Sequence, residues 1–287
     1  MPAAIIDGRA AAAELRAELH VHGTRLRDRG IVPRLVVAIV GEDAASMSYV
    51  RSLVATGKST AIDVDVDMLP PDATEAVVRQ QMERLGRDRS VHGVILQQPL
   101  PSGLSIRNIA ESIPAGKDVD CSNPVNQGRL AFGSGTEFVP ATPAAVMLLL
   151  ERSPAWPLRG KRCVVVGRSS VVGLPVALLA LRCDATITIV HSKTIDLAVH
   201  LREAEVVIAA TGVPRMITGS MLRPGCTVID VGTAVVDGKL VGDVDFASAG
   251  RVAAAITPVP GGVGPVTNVA LMSNVLKACE RLTDGRP

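Results

Sequence analysis

The chain has 287 residues, with 30 Lys+Arg against 28 Asp+Glu and a formal net charge of +2. That near-balance supplies no field to recruit nucleic acid or an anionic membrane, and it points to a small-molecule partner. Apolar residues make up 47% of the chain and aromatics only 2%, so cores built from Val, Leu, Ile and Ala are expected, with no stacking platform for bases.

Cys121, Cys163, Cys183, Cys226 and Cys279 lie far apart and form no close pair of the kind a zinc site or dithiol motif uses. They read as reduced, mostly buried thiols, and no metal is expected. The N-terminus shows no basic region followed by an apolar run. The longest apolar stretch, Val171 to Leu181, is broken by Gly173 and Pro175 and falls short of the roughly 20 residues that span a bilayer. A cytoplasmic location is the expectation.

In chain order, Leu35–Val40, Ile62–Leu69 and Gly93–Gln97 read as β-branched strands separated by segments with helical apolar spacing, a βαβ signature. The pattern restarts near residue 140 with four buried-looking strands, Arg162–Val166, Thr186–Val190, Val206–Ala210 and Cys226–Asp230. A last helix runs from Val266 onward and is expected to pack back on the first domain. The predicted fold is therefore two-domain α/β. Residues 1–139 plus 268–287 form an N-terminal substrate domain, and residues 140–267 form a Rossmann-type nucleotide domain.

Three segments carry chemistry. Cys163–Val166 enters Gly167-Arg168-Ser169-Ser170-Val171-Val172-Gly173, a glycine-bounded turn opening a helix, which suits either a phosphate cradle or a plain tight turn. The next strand ends in His191-Ser192-Lys193-Thr194. A carboxylate there would hold the ribose hydroxyl of NAD; hydroxyl and basic groups, with Arg168 in reach, favour the 2′-phosphate of NADP. Ser192 and Thr194 also fit the role of caps for the following helix. Finally, Thr257-Pro258-Val259-Pro260-Gly261-Gly262-Val263-Gly264-Pro265 reads as a binding loop through its density of Gly and Pro, although loop chemistry alone would also allow it.

Pro258–Pro265 resembles a signature of the methylenetetrahydrofolate dehydrogenase/cyclohydrolase family. So do Gly167-Arg168-Ser169 with Val172-Gly173 and Pro175, His191–Thr194, Val231-Gly232, and Gly238-Lys239-Leu240-Val241-Gly242-Asp243-Val244-Asp245-Phe246. Val40-Gly41, Asp43, Ala45-Ser46, Tyr49-Val50, Gln97 with Pro99-Leu100-Pro101, Lys117-Asp118-Val119-Asp120 and Thr142-Pro143 extend the match over almost the whole chain.

The resemblance implies a homodimer of two-domain α/β subunits with a cleft between the domains, holding a tetrahydrofolate derivative on one side and NADP on the other. It implies catalytic roles for Tyr49, Gln97 and Asp120, with Asp120 on the pteridine edge. Substrate contacts would come from Ser46, Tyr49, Pro99, Leu100, Asp120, Gly262 and Pro265. Cofactor contacts would come from Gly167, Arg168, Ser169, Val172, Gly173, Ser192, Thr233, Gly264 and Thr267. The alternatives are that Tyr49 fills a core and that Asp120 is a surface acid in a polar loop.

The chain departs from the family where it matters for hydrolysis. One helical turn after the tyrosine the family has a lysine, which serves hydrolysis of the methenyl intermediate; here the residue is Leu53. Leucine cannot shuttle protons, and Lys58 should point away from Tyr49 and follows Gly57, a potential helix end. Gln98 stands where an apolar residue is usual, and Cys121-Ser122-Asn123 follows Asp120 where the family has Gly, an aromatic or Leu, and His or Asn. The expected activity is NADP-dependent oxidation of 5,10-methylenetetrahydrofolate with the cyclohydrolase step weak or absent. The alternatives are an NADP-dependent dehydrogenase of another imine or iminium, and a non-catalytic folate- or nucleotide-binding paralogue.

Overall fold

The computed structural model describes residues 2–133 and 138–284; residues 285–287 of the expected C-terminal segment lie outside them. In chain order the elements are β1 (Ala4–Ile5), α1 (Gly8–Asp28), β2 (Arg34–Val40), α2 (Ala44–Ser59), β3 (Asp63–Leu69), α3 (Glu75–Arg87), β4 (Gly93–Leu96), α4 (Ile106–Ile109), α5 (Pro124–Phe132) and α6 (Ala141–Glu151). They continue with β5 (Arg162–Val166), α7 (Gly173–Arg182), β6 (Thr186–Val190), α8 (Leu197–Glu203), β7 (Val206–Ala209), β8 (Thr227–Asp230), β9 (Ala234–Val236), β10 (Lys239–Val241), α9 (Phe246–Ala249), β11 (Ala255–Ile256) and α10 (Val263–Thr283). Among the described residues no helix is long and apolar enough to cross a membrane.

The chain divides into two compact units. One comprises Ala13–Ala141 and Asn268–Pro287, the other Met1–Ala12 and Thr142–Thr267. The first twelve residues therefore leave the domain that the sequence reading gave them. The reason is hydrogen bonding: β1 pairs in parallel with β11, and Ala4 and Ile6 donate to Ala254 O (2.8 Å) and Ile256 O (2.9 Å).

The smaller sheet is parallel, in the order β3-β2-β4. Val36, Ala38 and Val40 of the central strand pack with Val78, Met82 and Leu85 of α3, while Leu35, Val37 and Ile39 are buried on the opposite face. Both faces being covered, β2 reads as a continuous apolar run. At the edge, β3 alternates Asp63, Asp65 and Asp67 with apolar residues, and these charges protect an otherwise unpaired strand. Side-chain oxygens start several of the helices. Asp43 accepts from Ser46 N (2.8 Å) at α2, and Asn123 accepts from Val125 N (2.8 Å) at α5. Contrary to the expectation for Gly57, α2 runs through it to Ser59.

The larger sheet is all parallel, in the order β1-β11-β8-β7-β5-β6. From β5 the chain winds outward to β6 on one side and then to β7 on the other. The strand order thus reverses beside β5, where open α/β sheets bind ligands. The reading of Thr186–Val190 as buried needs correction: β6 is an edge strand with only Val190 fully buried, and its Thr-Ile-Thr-Ile alternation is that of a half-covered strand.

The N-terminal segment also clamps the glycine-rich loop. Gly8 N donates to Gly261 O (2.9 Å), and a methyl group on Gly8 would stand 1.7 Å from Gly262 O. Gly8→Ala is expected to destabilise the fold by about 3 kcal/mol or more, moving the denaturant midpoint down at similar slope. An unchanged midpoint would show that the N-terminal segment can lift off the loop freely.

Candidate active site

In the unit built on the three-stranded sheet, the carboxyl ends of β2 and β4 collect the candidate substrate residues. Gly41, at φ +78°, turns the chain from β2 into α2, whose residues Ser46, Tyr49 and Leu53 follow one another at helical spacing. Ser46 is 3% exposed and its Oγ has no hydrogen-bond partner among the described residues, while Tyr49 is half-buried. Burial, and secondarily the charge of Asp120, pushes the Tyr49 hydroxyl far above its ordinary range, so it stays protonated. Leu53 is 0% exposed. Lys58 is exposed, by a shallow surface hollow with Arg27 and Asp63.

Gln97 follows β4, and its N–H donates to Ala38 O (2.8 Å), which fixes its backbone beside β2. Its side-chain Nε2 donates to Gln98 O (2.5 Å), Pro99 is exposed across a cis peptide, and Leu100 packs on the core of the smaller sheet. Leu100 is therefore partly a core residue.

The segment bearing Asp120 runs alongside β4, where Val94 N donates to Lys117 O (2.8 Å) and Val94 pairs with Asp118. Asp118 is buried and shapes the turn that follows: its carboxylate accepts from Ser122 N (2.9 Å), Asn123 N (2.9 Å) and Asn126 Nδ2 (2.8 Å). This carboxylate holds Cys121 at φ +57°, a conformation usually left to glycine. Asn274 of α10 secures the segment further, donating to Val119 O (2.8 Å) and Val139 O (2.8 Å). Asp120 itself is half-buried and accepts from Ala141 N (3.2 Å). Burial pushes its carboxyl up to about 6 against the restraint of that bond, with Asp118 adding to the rise.

In the unit built on the six-stranded sheet, the Gly167 turn leaves β5 at the reversal of strand order. Gly167 has φ +121° and lies so close to the β7 end that an added methyl would stand 2.2 Å from Ala210 O; one on Gly173 would stand 2.2 Å from Gly167 O. Only glycines allow this close approach. Ser169 does something the sequence reading did not foresee. Its Oγ accepts from Val172 N (3.1 Å) and Gly173 N (3.4 Å), taking up amides at the start of α7 that had been offered to a phosphate. Arg168 is exposed on the turn.

At the end of β6, Thr194 Oγ1 accepts from His191 N (2.9 Å), and His191 Nδ1 accepts from Lys193 N (3.2 Å). The next helix, α8, starts at Leu197 with Asp196 at its cap, so capping by Ser192 or Thr194 is excluded. Ser192 is exposed, and no carboxylate lies among residues 191–194. These residues fit a phosphorylated dinucleotide: a glycine cradle, an exposed guanidinium and an uncommitted hydroxyl at one sheet edge.

Arg9, Asp230, Val231, Gly232, Thr233, Leu240 and Pro258–Pro265 enclose a cavity of about 130 Å³. It brings Thr233, Gly262, Gly264 and Pro265 together. Thr267 instead turns its hydroxyl onto Val263 O (3.3 Å) within α10. Arg9 and Asp230 were missed in the sequence. Asp230 could have been suspected from its place at a strand's carboxyl end; Arg9 gave no signal, since it reaches this wall only through β1. Burial pushes the Asp230 carboxyl up to about 6, against three backbone N–H donors, with Asp243 adding to the rise.

Two family models match the chain. The catalytic domain of tetrahydrofolate dehydrogenase/cyclohydrolase covers residues 6–120, and the NAD(P)-binding domain of the same family covers residues 140–283. A protein from Chloroflexus aggregans named "Bifunctional protein FolD" is 48% identical over 97% of this chain and 98% of its own length. The crystal structure of the bifunctional methylenetetrahydrofolate dehydrogenase/cyclohydrolase from Campylobacter jejuni superposes with a TM-score of 0.94 at 37% identity, covering 96% of this chain and 98% of that one. The Trypanosoma brucei methylenetetrahydrofolate dehydrogenase-cyclohydrolase, solved with NADP and an inhibitor, gives 0.93 at 38% identity over 100% of both chains.

The raised carboxyls make a pH-dependent contribution to stability. A carboxyl whose folded value lies above its ordinary 3.8 contributes fully below about pH 4, and the contribution is lost as pH rises through about 6. Asp120→Asn keeps an oxygen for Ala141 N–H but cannot ionise. Its stability relative to the unaltered chain is expected to rise between about pH 4 and pH 6 and then level off; a constant difference in denaturation across that window would contradict the assignment. By sequence and by structure, the chain belongs to the tetrahydrofolate dehydrogenase/cyclohydrolase family.

Proposed function

We propose that this chain oxidises 5,10-methylenetetrahydrofolate to the 5,10-methenyl form with NADP, and that it hydrolyses the methenyl product weakly or not at all. The observation that carries the reading is the pairing of two features in one family member. The β6 corner carries an exposed hydroxyl at Ser192, with Arg168 exposed on the nearby turn and no carboxylate among residues 191–194, and position 53 holds a fully buried leucine instead of an amine.

NADP, when bound, supplies the hydride acceptor. The chain's own residues bind and orient. Arg168 and Ser192 meet the 2′-phosphate, while Gly167 and Gly173 allow close approach of the backbone. Val172, Thr233, Gly264 and Thr267 complete the cofactor wall. Asp120, ionised above about pH 6, accepts hydrogen bonds from the aminopyrimidine edge of the folate. Tyr49 stays protonated and offers a donor and an aromatic face. Gln97 orients the reacting end with Ser46, Pro99 and Leu100 beside it, and Gly262 and Pro265 are the substrate contacts of the other unit. Loss of hydride is driven by the lone pair of the adjacent substrate nitrogen, so no protein acid or base is required; positioning suffices.

Hydrolysis is different. Water must attack the methenyl carbon while protons move, which calls for a titratable group beside it. Leu53 supplies none, and Lys58 lies exposed a turn and a half further along α2. The relatives are named for both activities; in this chain the altered residues Leu53, Gln98, Cys121 and Ser122 separate the two. We further propose a cytoplasmic homodimer. The unpaired β6 edge with Ile189 exposed, and free cysteines that are mostly buried, agree with this reading.

The test is spectroscopic: purified chain, methylenetetrahydrofolate and NADP are expected to yield NADPH, and its absence would sink the reading. Ser192→Asp places a negative charge against the 2′-phosphate. It should raise the KM for NADP roughly thirtyfold, equivalent to about 2 kcal/mol. An unchanged KM would remove Ser192 from the cofactor corner.

A further inference from the structure

The segment Gly238–Phe246 belongs to the family resemblance, yet nothing above gives its buried acid Asp243 a task. Asp243 is 1% exposed, and one oxygen of its carboxylate, Oδ2, accepts from both Thr211 N (2.5 Å) and Gly212 N (3.1 Å), two consecutive amides that follow Ala210 beyond the β7 end. Asp230, the last residue of β8, is 4% exposed and accepts from Gly232 N (3.0 Å), Asp243 N (3.0 Å) and Val244 N (2.9 Å). The glycines between them admit no side chain. A methyl on Gly232 would stand 2.0 Å from Asp243 Oδ1, and one on Gly242 would stand 2.0 Å from Asp230 Oδ2. The chain beyond is stitched to the same place by Arg215 N on Gly242 O (3.0 Å) and Ile217 N on Asp243 O (3.0 Å).

A continuous path leads from this carboxylate to the nucleotide turn. Asp243 fixes Thr211 and Gly212; these fix Ala210, whose N–H donates to Val166 O (2.8 Å); and Ala210 O is the wall against which Gly167 is pressed. Gly167 O in turn is the surface that Gly173 touches. The links are peptide bonds, hydrogen bonds and backbone approaches too close for a side chain, so the 210–212 turn and the Gly167 turn are mechanically coupled.

We propose that Asp243 is a positioning residue for the dinucleotide: through the amides of Thr211 and Gly212 it sets the wall that holds the Gly167 turn in its phosphate-receiving shape. The inference rests on the dehydrogenase reading above. An anion suits the task because one oxygen must serve two consecutive N–H groups away from water, and charged acceptors form the stronger bonds.

The experiment is a fluorescence titration of the full-length chain and of Asp243→Asn with NADPH, alongside thermal melting and steady-state KM and kcat for each substrate. The variant is expected to bind NADPH roughly tenfold or more weakly, with KM for NADP raised and KM for the folate unchanged in the folded protein. Asp243→Glu, which keeps the charge but displaces it by one methylene, should weaken NADPH similarly and carries the test if the asparagine variant fails to fold. A lowered melting temperature with unaltered NADPH affinity in a folded variant would reduce Asp243 to a purely structural residue and overturn the proposal. If the unaltered chain itself binds no NADPH, the dehydrogenase reading fails first, and the two failures are told apart.

Discussion

Backbone amides at the carboxyl ends of parallel strands must find acceptors where water is excluded, and in this chain buried carboxylates provide them. Asp118 does so beside β4, accepting from two successive amides and the side chain of Asn126. Asp230 and Asp243 do so beyond β7 and β8, with five backbone donors between them. A buried carboxylate without such donors would be costly; with them it becomes a rigid node from which a loop can be hung. Each unit places its candidate functional groups on loops held this way: Asp120 follows Asp118 by two residues, and Thr233 follows the Asp230–Gly232 bond.

This explains which parts of the molecule could be read from the sequence. Parallel strands covered on both faces announce themselves as Val/Ile runs, so β2, β5, β7 and β8 were legible to within a residue or so, and the glycine turns were legible because close backbone approach demands glycine. β1 was not, because a two-residue strand has no periodicity and is held only by its pairing with β11. β6 was misread as buried because neighbouring strands, not its own residues, decide which strand ends at an edge. The second bond set of Ser169 was hidden for a related reason: a hydroxyl at the start of a helix can serve the helix as well as a ligand, and only the geometry shows that it reaches Val172 N and Gly173 N. The carboxylate nodes lay in plain view within Lys117–Asp120 and Gly238–Phe246, but their partners are backbone amides, which no side-chain pattern reveals.

The same reasoning separates the two chemistries associated with the family. Hydride transfer asks the protein for positions, and positions are what the glycine turns and carboxylate nodes supply. Hydrolysis asks for a group that gains and loses protons at neutral pH, and the α2 face that carries Ser46 and Tyr49 continues with a buried hydrocarbon, Leu53. On the proposed reading the two chemistries part on this face of α2 without disturbing the fold, since a buried leucine needs no desolvation of a charge.

The most direct test of this account supplies the purified chain with methenyltetrahydrofolate alone and follows the loss of its absorbance against the spontaneous loss in the same buffer. The account predicts equal rates for the unaltered chain and a faster loss for Leu53→Lys. Clear acceleration by the unaltered chain would contradict it, showing that water attack proceeds without an amine at position 53.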